Sequence, residues 1–360
     1  MTKQGKRKAG LSEVAKKEER LALTMLVPAF LIIVLIAIYP LFTVFRDSFT
    51  NKVFASGQEA EFVGLENYAQ LLSVTIKKLP AVMDKTTGQQ ALDEQGQPVY
   101  ERPVSVLPRE PRRYRELAQF SLLGNRYVIG ATERDFIKGI KDTVLFTVVS
   151  VVLETVLGLG IALVVNSGFR GRAVMRATML VPWAIPTVVS AKIWQWMLGP
   201  TRTGLFNVLA SGLGFSDGQM AFLREASLQL PAIIAVDVWK TTPFMALLLL
   251  AGLQLIPGDL YEAADVDGAG KVRQFFAVTL PLLKPALTVA LIFRTLDALR
   301  VFDVFQVLLS RTRYSMASFA QDQLIQYQAG GMSSAASVVI FILILVFAVL
   351  YIRALGVKTE

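Results

Sequence analysis

The 360-residue chain has no cysteine and no histidine. Without thiols there can be neither disulfides nor a thiol nucleophile, and without imidazole there is no His/Cys zinc site and no His-based acid/base triad. Charge is scarce too. Charged residues make up 18% of the chain, against the ~25% usual in soluble domains, while 53% is apolar and the mean hydropathy is +0.50. Those values define a membrane protein, in which any catalysis would fall to carboxylates, lysine or serine. A formal charge of +9 would suggest nucleic acid in a soluble chain. In a membrane chain it is explained first by the Lys and Arg that short cytoplasmic loops collect, and no nucleic-acid partner is expected.

Six stretches are long enough, at about 20 apolar residues, to cross a bilayer as helix: 21–45, 142–166, 176–198, 231–256, 285–309 and 335–355. Lys3, Lys6, Arg7, Lys8, Lys16, Lys17 and Arg20 precede the first. Residues 1–20 therefore read as a cytoplasmic basic N-terminus and 21–45 as an uncleaved first transmembrane helix, with no small-x-small cleavage site before Arg46. Six crossings then put 167–175, 257–284 and the C-terminus inside, with 46–141, 199–230 and 310–334 outside. The loop 167–175 and its border carry Arg170, Arg172 and Arg176 without an acid, whereas Arg202 and Arg224 in 199–230 are balanced by Asp217 and Glu225, as this orientation requires. Thr241 and Gly268 are expected to report opposite faces.

Residues 46–141 are too long for an ordinary connection and contain Pro80, Pro98, Pro103, Pro108 and Pro111. They read as a partly ordered extracytoplasmic insert, with strand character at Val99 to Val106 and Tyr127 to Gly130 and a helical turn or two at Arg112 to Gln119. Arg109, Arg112, Arg113 and Arg115 are either a solvated charge run or a grip for an acidic partner.

Between the fourth and fifth stretches, in the loop 257–284, stands Glu262-Ala263-Ala264, then three residues, Gly268, nine residues, Val278, one residue, and Leu280-Pro281. Asp259, Glu262 and Asp265 would favour a helix N-terminal dipole, Ala263 and Ala264 are compact helix formers, and Gly268 permits a sharp turn after the helix. The spacing resembles the E-A-A-x3-G-x9-I-x-L-P signature of membrane subunits of ATP-binding-cassette importers, with Val278 in place of Ile. Residues 142–165, 176–198 and the run from Val238-Trp239-Lys240-Thr241-Thr242-Pro243-Phe244 to Phe293-Arg294-Thr295-Leu296-Asp297 extend the resemblance to carbohydrate-importer permeases of the maltose and trehalose type, over 21–70 and 136–355.

That resemblance implies an all-α membrane protein with six transmembrane helices in the type I ABC importer permease (MetI-like) fold, 142–355 supplying a five-helix core. It also implies that Glu262, Ala263, Ala264, Asp265 and Gly268 dock onto an ATPase subunit. The expected partners are a second homologous permease, two ATP-binding-cassette ATPases, an extracytoplasmic sugar-binding protein and membrane lipid, in a bacterial cytoplasmic membrane with both termini cytoplasmic. The cargo would be a disaccharide or maltooligosaccharide such as maltose or trehalose. No cofactor or metal is expected in this chain, ATP and magnesium belonging to the partner ATPase. No phosphate-binding G-x-x-x-x-G-K-[ST] is present: Gly270-Lys271 is followed by Val272, and Asp265 stands where the first Gly should.

Charges within spans are costly and functional by default. Here they are Glu154, Asp237, Lys240, Arg294, Asp297, Arg300 and Asp303. Spacings of three pair Asp237 with Lys240 and make a ladder of Arg294, Asp297, Arg300 and Asp303. A fifth span entered at Pro285 carries Arg300 and Asp303 past the midplane, so Trp239, Arg300, Phe302, Asp303 and Gln306 are the substrate-path candidates, offering hydroxyl contacts and stacking. Trp183, Trp194 and Trp196 read as packing or interface residues. Glu154 reads as inter-helix glue beside Gly158 and Gly160, or as a proton relay, and Pro182, Pro186 and Pro243 as kinks. Two rival functions remain: a magnesium-dependent enzyme on a diphosphate lipid using Asp259, Asp265 and Asp267, and a proton-coupled carrier, although no internal repeat is evident.

Overall fold

The computed structural model describes residues 13–83, 90–201 and 203–354. Most of the basic N-terminus, Arg202 and the end of the C-terminus lie outside the described residues. Helices long and apolar enough to span a bilayer are Arg20–Asp47, Arg134–Asn166, Ala226–Leu253, Lys271–Ala298 and Gly330–Arg353. A further pair, Arg172–Ala184 and Thr187–Met197, is apolar enough as a unit but bent by 88° at its break; counted as one interrupted crossing it brings the spans from five to six.

The interruption departs from the single helix expected over 176–198. Pro186 cannot donate to the helical ladder and pushes its predecessor out of the helical region; Ile185 accordingly sits at φ −70°, ψ 130°. The fifth span departs at both ends from 285–309. Lys271–Gln274 is helical, a π-helical turn Phe275–Thr279 follows, and the helix continues over Leu280–Ala298 with Pro281 in its first turn and Pro285 inside. Pro285 suggested a boundary, yet the helix runs through it, giving up one ladder bond and accommodating the ring against the preceding turn. Past Ala298 the chain is irregular, and a second π-helical turn, Phe305–Leu309, begins a little later. The ladder Arg294 to Asp303 is therefore split across a break and does not climb one helix. The second span starts at Arg134, so 134–141 is helix, not insert.

Within the insert, β1 (Val74–Leu79), β2 (Arg115–Leu122) and β3 (Asn125–Ala131) form an antiparallel sheet in the order β1-β3-β2, with Ala131 opposite both Val74 and Arg115. Tyr127 to Gly130 is strand as expected. Arg112 to Gln119 is not helix: from Arg115 onward it is β2. Val99 to Val106 is mostly not strand, giving a bridge at Tyr100 and a short helix Pro103–Val106. The β2–β3 turn holds Leu123 and Gly124 at φ 51° and 75°, the left-handed pair a tight hairpin needs. Leu79, Leu107 and Val128 make a small separate core. Arg112, from the arginine cluster, pairs with Glu66 at 2.9 Å. The base of the insert is fastened to the start of the last span, with Phe54 N–H donating to Gln328 O (2.7 Å) and Gly331 N–H to Lys52 O (3.0 Å).

The membrane core is built mainly by the second, fourth and fifth spans, around Phe146, Ile233 and Phe305 in one cluster and Val165, Met245, Leu249 and Leu283 in another. Gly158 lets the second and fourth spans meet: a Cβ there would stand 2.9 Å from Met245 Cγ. Gly160 faces open space and has no such role. The first span stands apart. None of its apolar window is buried, and its Tyr39–Asp47 end packs against the last span.

Candidate functional site

Arg294 is the centre of a buried charge cluster at mid-span. Its guanidinium, 2% exposed, donates to Glu154 on the second span (Nη2 to Oε1, 2.9 Å, with Nε to Oε2), to Asp237 on the fourth, and to Asp297 one turn further on (Nη1 to Oδ2, 3.0 Å). Thr241 Oγ1 donates to Glu154 Oε1 at 2.6 Å. Thr241 is half-buried there and lines the cavity between the interrupted helices. Only arginine offers enough donors in a fixed fork to satisfy three carboxylates, and burial of these charges is tolerable because each is paired. One side chain fastens three spans, consistent with the inter-helix role expected for Glu154.

The expected Asp237–Lys240 pair does not form. Asp237 turns to Arg294, while Lys240 Nζ donates to Ile185 O (2.5 Å) and Trp183 O (3.4 Å). Those carbonyls lost their helical donors at the Pro186 interruption, and the ammonium supplies new ones. Arg300 approaches Asp297 only at 4.0 Å, with both side chains largely exposed.

Both interruptions open on one cavity of about 540 Å³, lined among others by Ile185, Lys240, Asp297, Arg300, Phe302 and Asp303. Of the sequence-derived path residues, Arg300, Phe302 and Asp303 lie on it and two do not. Trp239 packs edge-on against Trp194 at 5.5 Å, and Gln306 has its Oε1 buried without a partner beyond the break. Arg300 and Asp303 line the cavity because the helix stops at Ala298, not because it carries them past the midplane. Asp297, Lys240 and the Ile185–Pro186 interruption were not on the list of path residues. Their charge and the proline were visible, but their convergence depends on two breaks facing each other. Trp183 stacks on Phe244 (5.6 Å) and Trp194 on Phe206 (5.4 Å), whereas Trp196 is exposed. Chemically the cavity offers carboxylate acceptors on Asp297 and Asp303, an aromatic face on Phe302 and the largely exposed guanidinium of Arg300, while Lys240 and Arg294 are already engaged by protein oxygens. That set suits hydroxyl groups.

At the foot of the fifth span stands the helix Asp259–Val266, in which no residue is buried. Glu262, Ala263 and Asp265 are exposed and Ala264 half-buried. Gly268 ends it at φ 74°, the left-handed conformation in which glycine closes helices. Leu255 and Val266 flank it at 82% and 88% exposure, an apolar rim around acids. Asp265 faces inward as well: its Oδ1 accepts from Gln274 Nε2 (2.5 Å) and Lys271 Nζ (3.4 Å). Gln274 also donates to Ala269 O (2.9 Å), and Tyr261 shares a hydrogen bond with Thr279 (2.9 Å). Among the described residues Asp259, Asp265 and Asp267 form no acidic group able to hold a metal ion.

Residues 154–357 match the family described as "Binding-protein-dependent transport system inner membrane component". The trehalose/maltose transport system permease protein MalF of Thermococcus litoralis is 45% identical over 258 residues, 70% of this chain and 82% of that protein. The sulfoquinovosyl glycerol transport system permease protein SmoG of Agrobacterium fabrum is 32% identical over 94% of this chain and 91% of its own length. Among solved structures, a chain of a bacterial alginate ABC transporter, in complex with alginate pentasaccharide-bound periplasmic protein, superposes with a TM-score of 0.67 at 19% identity, over 94% of both chains. That likeness is one of fold.

Proposed function

Since the chain belongs to the family of binding-protein-dependent transport system inner membrane components, we propose that it is the multi-pass permease of an ATP-driven sugar importer, moving a disaccharide or short oligosaccharide of the maltose or trehalose kind. The carrying observation is the fifth span: its upper end opens on a polar cavity between interrupted helices, and its foot carries an exposed acidic-then-small helix. A cargo path and a docking knob on one rigid element are what a pump driven from outside its own chain requires.

In this reading the hydroxyls of the sugar meet Asp297 and Asp303 while Phe302 offers its face to the ring. A second permease closes the open side of the cavity, and the first span, whose apolar window is unburied, belongs against it or against lipid. Two ATPase subunits on the cytoplasmic side grip Glu262, Ala263, Ala264 and Gly268, and bind the ATP and magnesium. A binding protein delivers sugar from outside, both termini being cytoplasmic. The chain catalyses no bond chemistry itself. Closure of the ATPases rocks the two permeases and exposes the cavity alternately to either side.

Glu262→Lys tests the reading. It reverses a charge on the docking helix without touching a span, so the variant should insert normally yet lose ATPase co-purification and sugar-stimulated ATP hydrolysis. Wild-type values for both would remove this helix from the mechanism.

A further inference from the structure

The coupling helix Asp259–Val266 has eight residues and buries none of them. Alone in water such a helix is unstable, since helices shorter than about 12–15 residues are marginal even with good propensity. Something must hold it. Among the described residues, every side-chain hydrogen bond leaving it runs one way. Tyr261 reaches Thr279, and Asp265 reaches Gln274 and Lys271. All three partners sit at the foot of the fifth span, and none on the fourth, to which the helix is equally joined by chain. Gln274 is the centre of this tie. Its amide is buried, 3% exposed, and its two N–H donors are divided between the Asp265 carboxylate and the Ala269 carbonyl just past Gly268.

Resting on the reading that Asp259–Val266 meets the ATPase, we propose that Gln274, with the Tyr261–Thr279 pair, latches the coupling helix to the fifth span so that the two move as one body. Gln274 is then a positioning residue for energy coupling. The helix from Lys271 to Ala298 carries displacement at its foot up to Arg294, roughly 30 Å away at ~1.5 Å per residue. There the guanidinium engages the second and fourth spans beside the cavity. The fourth span, which among the described residues shares no side-chain hydrogen bond with the coupling helix, follows through Arg294. The amide is suited to the task because it holds without carrying charge, leaving Glu262 free for the partner.

Gln274→Met keeps the volume and removes both donors. In the assembled transporter reconstituted with its binding protein, ATPase co-purification and sugar-free hydrolysis should stay near wild type, while sugar-stimulated hydrolysis and transport fall about fivefold to tenfold, the scale of one or two lost hydrogen bonds. The exchanged pair Asp265→Asn with Gln274→Glu keeps a donor facing an acceptor at the Asp265 tie but leaves the Ala269 carbonyl without its donor, so it should restore only part of the stimulation. Thr279→Val, should Gln274→Met fold poorly, reads the second tie by the same ratio. An unchanged stimulation ratio in Gln274→Met and Thr279→Val overturns the latch, as does a loss of stimulation that only follows loss of bound ATPase. Glu262→Lys run in parallel separates the two ideas: wild-type coupling there overturns the docking reading itself.

Discussion

The two ends of the fifth span hold their neighbours by opposite means. At the upper end, Arg294 gathers the buried Glu154 and Asp237 in a nearly dry cluster and reaches the largely exposed Asp297 on the cavity side. At the foot, the buried amide of Gln274 and a pair of hydroxyls do the holding, with Asp265 as the amide's acceptor, while Asp259 and Glu262 of the helix Asp259–Val266 face water. The environment accounts for the difference. In the bilayer a charge must be enclosed by partners, so an ion cluster fixes the relative depth of every helix it touches. In water a charge is cheap and weak as a fastener, so a buried neutral donor sets the position and the acids it does not engage are left for recognition.

The sharpest way to break this comparison is Arg294→Met, which strands Glu154 and Asp237 without a cation. Removing one partner of a buried ion cluster costs roughly 3–5 kcal/mol, and the folded yield and thermal stability in detergent should collapse. Adding Glu154→Gln and Asp237→Asn removes the stranded charges and should recover most of the loss. No recovery would mean that the cluster does more than cancel its own charges.

Next in size are the carboxylates that the cluster leaves open. Asp297→Asn and Asp303→Asn should each raise the transport KM in proteoliposomes by roughly 5- to 150-fold, corresponding to about 1–3 kcal/mol for an unmet polar contact. Gln306→Ala, outside the cavity, should leave KM unchanged. Equal effects at all three positions would deny the cavity its role.

The smallest effect is expected where burial is partial. Glu133, just ahead of the second span, is pushed above the ordinary carboxylate value by burial, against the opposing hydrogen bond from Gln70. The native state therefore holds its proton more tightly than the unfolded chain does. That contribution to stability is whole below the ordinary value and fades as pH rises through the raised one. Glu133→Gln should flatten the pH dependence of insert stability above the ordinary glutamate value of about 4.3, with a slight gain at neutral pH, read by limited proteolysis.

The spans were legible because bilayer thickness dictates an apolar length, and the coupling helix because Gly268 and the acids mark its ends. Where single residues decide, the reading slipped. Pro186 looked like a kink and proved an interruption, whereas Pro285 looked like a boundary and sits inside a helix. β2 was mistaken for helix because its turn uses Leu123, not a usual turn former, ahead of Gly124. Asp303 could be named from charge alone, but Lys240 took carbonyl partners that exist only because another helix breaks. Gln274 had no local signature, since an amide acquires meaning only from what surrounds it.

The backbone bonds joining Lys52 and Phe54 to Gln328 and Gly331 also constrain the biogenesis of the chain. The strand partners are among the first and the last residues to reach the outer side, in the proposed orientation. Synthesis at ~5–20 residues per second separates their arrival by some tens of seconds. The sheet of the insert can form early from its own hairpin, but its seat is completed only when the last span has been threaded. A chain that stops before Gln328 therefore keeps the hairpin of the insert but lacks the backbone bonds that seat it on the last span.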